Sequence, residues 1–262
     1  MDMTANWPEL LKQPGSCDHI VELYQDLGFL TESVADYIGT GLRRGEAAII
    51  IATPEHRARF LHALQRRGLH CMQLASQGQL KLLDAQDTLA RFMTNGMPQW
   101  KAFHEVAGGA IAALRLQYPA VRAYGEMVDV LWQKGEREAA LRLEEYWNEL
   151  SKLQTFSLLC AYAMDNLDGN AYGGPLECIC KAHTHLIPAR DYSRFNHAVT
   201  EATKKVLDRP LAQILLSLSA NHRPATHMPS GQATLLWLKH NMPRTAEKVF
   251  SEVRALASTA AP

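Results

Sequence analysis

Residues 47 to 53 read Ala-Ala-Ile-Ile-Ile-Ala-Thr, six apolar positions in a row with no polar side chain until the threonine. A strand that is apolar at every position has no face to offer to water, so it belongs in a sheet covered on both sides, the habit of parallel sheets. The flanks agree. Before it, Leu30, Val34, Tyr37, Ile38 and Leu42 fall near helical spacing, and the segment closes at Gly45, a residue that enters the left-handed turn ending a helix at little cost. After it, Pro54 opens a second helical pattern that stops at Gly68.

The same alternation continues along the chain. Strands are predicted at His19–Tyr24, Gln79–Asp84, Ala120–Met127 and Phe156–Tyr162. Helices are predicted from Phe29 to Leu42, from Pro54 to Gly68, beginning at Thr88, from Trp100 to Leu116 and from Glu136 to Leu153. Strands alternating with helices at these intervals make βαβ units and a mainly parallel sheet, an α/β fold. Residues 1–16 read as a loose leader, broken by Pro8, Pro14 and Gly15. The sheet is expected to end near residue 165. Past the glycine-rich connector Asn166–Gly174, helices are expected at about 176–186, 191–220 and 232–257, with a loop from Asn221 to Gly231. The expected organisation is therefore a leader (1–16), a sheet domain (17–190) and a helical C-terminal segment (191–262).

Charge narrows the partners. Lysine plus arginine equal aspartate plus glutamate at 27 each, so no overall field draws the chain to nucleic acid or an anionic membrane. The longest apolar run is far short of the roughly 20 residues a bilayer span needs. The N-terminus has no basic run leading into an apolar core. Five cysteines, Cys17, Cys71, Cys160, Cys178 and Cys180, are an odd and sparse set, expected as reduced thiols in a cytoplasmic protein.

In an α/β sheet the turn after the first strand is where phosphate loops sit. A P-loop requires glycines for close backbone approach, a lysine for the β/γ-phosphates and a hydroxyl for Mg²⁺. Here the turn is Tyr24-Gln25-Asp26-Leu27-Gly28-Phe29-Leu30-Thr31, with no lysine and with an acid that repels a triphosphate. His19, Tyr24, Asp26 and Phe29 are candidates for a repurposed small-molecule pocket. The alternative is that Tyr24 and Phe29 are core residues and Asp26 caps the next helix. Glu126, near the end of a predicted strand, either orients a ligand or cation or bonds a neighbouring helix terminus. His104, Arg115 and Arg122 are lesser candidates, with surface or core roles as the simpler reading. Cys178, Cys180, His183 and His185 offer metal-ligand types within eight residues. Their CxCxxHxH spacing splits them between two helix faces, so helix packing is the preferred reading and no metal is assigned.

The blocks HIVELYQDLGFL, GLRRGEAAIIIATPEH, GQLKLLDAQDTLARFMTNGMP, VRAYGEMVDVLWQKG, LEEYWNEL and FSLLCAY, with the later CKAHTHLIPARDY, resemble the successive blocks of the MEDS sensory domain, over roughly residues 17–190. The resemblance implies a RecA- or KaiC-like three-layer domain and a sensor of a small molecule, usually associated with a histidine kinase or a DNA-binding regulator. It implies no known reaction, and the sequence itself requires no cofactor. With no kinase or helix-turn-helix pattern after residue 190, the output is expected through another chain or through the helical segment, and a homodimer is compatible with its apolar faces. The rival readings are a divergent KaiC-like ATPase and a protein-interaction scaffold.

Overall fold

The computed structural model describes residues 7–165, 167–187, 191–221 and 228–258. The start of the leader and most of the loop expected at 221–231 lie outside the described residues. The strands are β1 (His19–Tyr24), β2 (Ala47–Ala52), β3 (Leu80–Asp84), β4 (Met93–Thr94), β5 (Met97–Pro98), β6 (Val121–Gly125), β7 (Ser157–Ala163) and β8 (His185–Ile187). Six of them form an all-parallel sheet in the order β3-β2-β6-β7-β1-β8, and β4 with β5 makes a separate small hairpin. Ala48 lies opposite Leu80 of β3 and Arg122 of β6. Around β1 and β7, Leu158 N–H donates to Asp18 O (2.8 Å) and Met164 N–H to Tyr24 O (3.1 Å). The strands being parallel, their amino ends share one edge of the sheet and their carboxyl ends the other. Ile49, Ile50 and Ile51 are buried, as an all-apolar central strand must be.

The chain divides into two compact units. The larger comprises Trp7–Glu22 and Asp26–Ala163. Its helices are α1 (Trp7–Lys12), α2 (Leu27–Arg43), α3 (Pro54–Arg66), α4 (Cys71–Ser76), α5 (Ala85–Ala90), α6 (Trp100–Phe103), α7 (Gly109–Arg115), α8 (Met127–Gln133) and α9 (Arg137–Leu153). They pack on the sheet in a three-layer-like α/β arrangement. The expected long helix from Trp100 contains a π turn, His104–Gly108, between α6 and α7. A Cβ on Gly108 would lie 3.1 Å from Leu150 Cδ1, so the glycine lets the widened turn lie close to α9. An aromatic cluster fills the space beneath: Phe103 meets Trp147 edge-on at 4.9 Å and Phe92 at 5.4 Å. The leader is not loose throughout. Pro8 stands in the first turn of α1, where its missing N–H deprives no carbonyl of a partner. Leu11 is fully buried, and Trp7 packs edge-on against Phe29 at 5.4 Å.

The second unit comprises Leu23–Gln25 and the chain from Met164 onward. It holds α10 (Pro175–Ala182), β8, α11 (Tyr192–Val206), α12 (Arg209–Asn221), α13 (Ser230–Asn241) and α14 (Pro243–Ser258). The helix expected at 176–186 stops at Ala182, and His185 opens β8. The two long helices expected beyond are each divided. The first breaks at the extended Leu207, after which Pro210 lies in the first turn of α12, and the second breaks at Met242, pushed out of the helical region by Pro243, which begins α14. Tyr172 packs against Phe250 with tilted rings 5.0 Å apart, and Ser219 shares a 2.9 Å hydrogen bond with Thr234. Among the described residues no helix is long and apolar enough to cross a membrane.

Candidate functional site

At the carboxyl edge of the sheet, Glu126 follows β6 and is almost fully buried. Its Oε1 accepts Thr53 N–H (2.6 Å), and its Oε2 accepts Tyr124 O–H (2.9 Å) and faces His56 Nδ1 (2.8 Å). Thr53 is the N-cap of α3, so the carboxylate satisfies an unpaired donor at a helix N-terminus, where negative charge is favoured. The hydrogen bond to Glu126 raises the pKa of half-buried His56 against the opposing effect of its burial. One carboxylate thereby ties together β6, the β2–α3 junction and α3. Asp129 of α8 accepts Ala163 N–H (3.1 Å) and Gln133 Nε2–H (2.9 Å) at the same edge.

The turn after β1 is used within the fold. Asp26 is exposed, and its Oδ1 accepts Gly28 N–H at 2.7 Å, capping α2. Phe29 is buried against Trp7, and Tyr24 is buried at the end of β1. His104 lies in the π turn with its ring 5.5 Å from Trp100. His19 is not brought to the turn: it sits at the other end of β1, about 16 Å away along an extended strand. Glu126 and the Asp26 turn do share the carboxyl edge, two strand positions apart. Of the cysteine–histidine group, Cys178 is exposed and Cys180 is buried, its thiol pushed up to about 12 by burial and then by Glu177. His183 Nδ1 lies 2.6 Å from Ile179 O, and His185 Nδ1 lies 2.9 Å from Thr184 Oγ1.

Two arrangements were not anticipated. The first is a cavity of about 370 Å³ at the amino edge, bounded by Arg44, Glu46, Arg115, Arg122, Thr155 and Ser157 among others. Arg122 is among its lining residues. The guanidinium grips Glu46 through Nε (2.6 Å) and Nη2 (3.1 Å) and donates to the carbonyls of Leu11 (3.0 Å), Tyr37 (2.9 Å) and Lys12 (3.1 Å). Arg44 donates to Lys12 O at 2.9 Å, and Arg115 donates to the Pro119 carbonyl. Arg115 and Arg122, separate lesser candidates in the sequence, thus meet at one cavity. The available signal was a lone arginine inside the apolar strand Val121–Gly125, since a buried charge requires a partner.

The second lies among β1, β7 and α9, where His19, Cys160 and Glu144 are all buried. His19 Nε2 is 3.3 Å from both Cys160 Sγ and Glu144 Oε2, and Sγ is 3.8 Å from that oxygen. Asn148 Oδ1 accepts from His19 Nδ1 (2.9 Å), and Tyr162 O–H donates to Glu144 Oε1 (2.7 Å). Burial, then the neighbouring Glu144, holds the Cys160 thiol well above its ordinary pKa.

A parallel α/β sheet, a polar cavity at one edge and a saturated carboxylate at the other define an α/β domain of the three-layer type with appended helices. Residues 18–183 match the MEDS family, described as MEthanogen/methylotroph, DcmR Sensory domain, and the chain belongs to that family. Among curated proteins no match was found.

Proposed function

We propose that this chain is a non-catalytic sensor that binds a small acidic molecule in the amino-edge cavity and relays its occupancy to a regulatory partner, such as a histidine kinase or transcriptional regulator. The observation that carries this reading is the charge balance of the cavity: three guanidinium groups face it and one carboxylate, Glu46, answers them. Arg122 and Glu46 neutralise each other, leaving Arg44 and Arg115 as the cations for a ligand carboxylate, with the Thr155 and Ser157 hydroxyls as polar anchors. Membership of a sensory-domain family supports the signalling role. In the second unit, Leu211, Ile214 and Leu218 are all more than half exposed at helical spacing on α12, an apolar stripe of the kind a partner chain covers.

Thermal shift and calorimetry against a panel of small mono- and dicarboxylic acids test the reading. A ligand at one hundred times its Kd should stabilise the chain by about 2.7 kcal/mol, and Arg115→Ala should weaken binding at least tenfold. A panel without a hit, or a hit indifferent to both Arg44→Ala and Arg115→Ala, would overturn the assignment.

The Glu126–His56 pair favours a second reading, in which the carboxyl edge is a degenerate P-loop-type cleft of a RecA- or KaiC-like scaffold and takes a nucleotide beside the Asp26 turn. ATP binding with Mg²⁺ and turnover lost in Glu126→Gln would support it. Absence of ATP binding would remove it.

A further inference from the structure

We propose that His19, Glu144 and Cys160 hold a divalent transition-metal ion of the zinc type, forming three of the four ligands of a tetrahedral site. The donor triangle has edges of 3.3, 3.3 and 3.8 Å. An ion about 2.0–2.1 Å from nitrogen and oxygen and about 2.3 Å from sulfur sets tetrahedral neighbours about 3.3–3.6 Å apart. The triangle is thus already the size of one face of such a site. Its chemistry is that of zinc and its neighbours: one imidazole, one thiolate and one carboxylate, drawn from β1, β7 and α9.

The surrounding groups aim the donors. Asn148 Oδ1 accepts the hydrogen bond of His19 Nδ1–H, the arrangement that places the Nε2 lone pair toward the other two. Tyr162 O–H donates to Glu144 Oε1, and Oε2 is the carboxylate atom that faces His19 and Cys160. Outer partners of this kind fix ligand tautomer and orientation. A divalent ion also answers the electrostatic difficulty of the cluster, a buried carboxylate beside a buried thiol. On binding, the thiol proton of Cys160 leaves to solvent and the ion takes its place.

The site is separate from the amino-edge cavity, so its test can fail without touching the ligand reading. The full chain is stripped with a chelator, reconstituted anaerobically with Co²⁺, and followed by metal analysis and absorption. One equivalent per chain and a thiolate-to-cobalt charge-transfer band, displaced by Zn²⁺, are expected. Cys160→Ser should abolish the band, and Glu144→Gln and Tyr162→Phe should each weaken binding at least tenfold while circular dichroism stays native. The exposed-cysteine variants Cys17→Ser and Cys178→Ser should keep the band. Folded wild-type chain without stoichiometric metal, or a band that survives Cys160→Ser, would overturn the proposal.

Discussion

Replacing Glu22 with glutamine should stabilise the protein, and by an amount that grows with pH. Glu22 lies within β1 with no exposed surface, its carboxyl group beside the buried Ser33 hydroxyl. Burial pushes its pKa from 4.5 up to about 8, and the neighbouring Ser33 hydroxyl offsets only part of that rise. Between those two values the folded chain keeps a proton that the unfolded chain has lost. Stability therefore falls as pH rises from about 4.5 to about 8 and levels off on either side. At about 1.4 kcal/mol per pH unit, the whole loss is about 5 kcal/mol. Glutamine keeps the shape of the protonated acid and carries no charge. Urea unfolding followed by circular dichroism at fixed ionic strength should give Glu22→Gln an advantage of about 1 kcal/mol at pH 5 and about 4–5 kcal/mol at pH 8.5. Parallel stability curves for the two proteins across this range would refute the reasoning, because a constant offset would mean that Glu22 does not exchange its proton on unfolding.

Two other perturbations follow from the same unit. A Cβ at Gly41 would fall 2.5 Å from Arg122 Nε and 3.0 Å from Glu46 Oε2, so Gly41→Ala should displace a buried ion pair and cost about 2–4 kcal/mol in urea unfolding; a loss under about 0.5 kcal/mol would show that the guanidinium is not held as described. His56 has a raised pKa, so its cationic form stabilises the fold fully below about pH 6.5 and that contribution is lost as pH rises through the raised value. The gap between wild type and His56→Gln should therefore be largest near pH 6 and close by pH 9, and a gap that widens with pH would reverse the assignment of the charged pair.

Local pattern carried the strands well. The all-apolar run Ala47–Ala52 is a strand, because a strand buried on both faces leaves an unbroken apolar signature, and His19–Tyr24 is a strand as well although His19 and Glu22 interrupt its apolar run. Breaks in the C-terminal helices were harder to see, since Pro210 and Pro243 each stand where proline is compatible with a helix start and the flanking residues stay amphipathic. The turn after β1 shows the same limit on the functional side. Asp26 and Phe29 were legible as residue types, but one caps α2 and the other packs on Trp7, a partner contributed by a leader that read as structureless.

The two unanticipated arrangements share a physical cause. A parallel sheet collects the amino ends of its strands at one edge, yet its strands are not neighbours in sequence order. Arg122 meets Glu46 across 76 residues, and His19 meets Cys160 across 141. Each residue alone reads as an oddity within an apolar strand: a cation in VRAYG, a histidine at the head of HIVELY, a cysteine in FSLLCAY. Such oddities are informative because burying an unpartnered polar group costs several kcal/mol, so every one of them demands a complement somewhere. The sequence states the demand, and only the order of strands in the sheet says which demands answer one another. For β1 beside β7 the answer is a histidine opposite a thiol, with a carboxylate from α9 close enough to complete a metal-sized triangle.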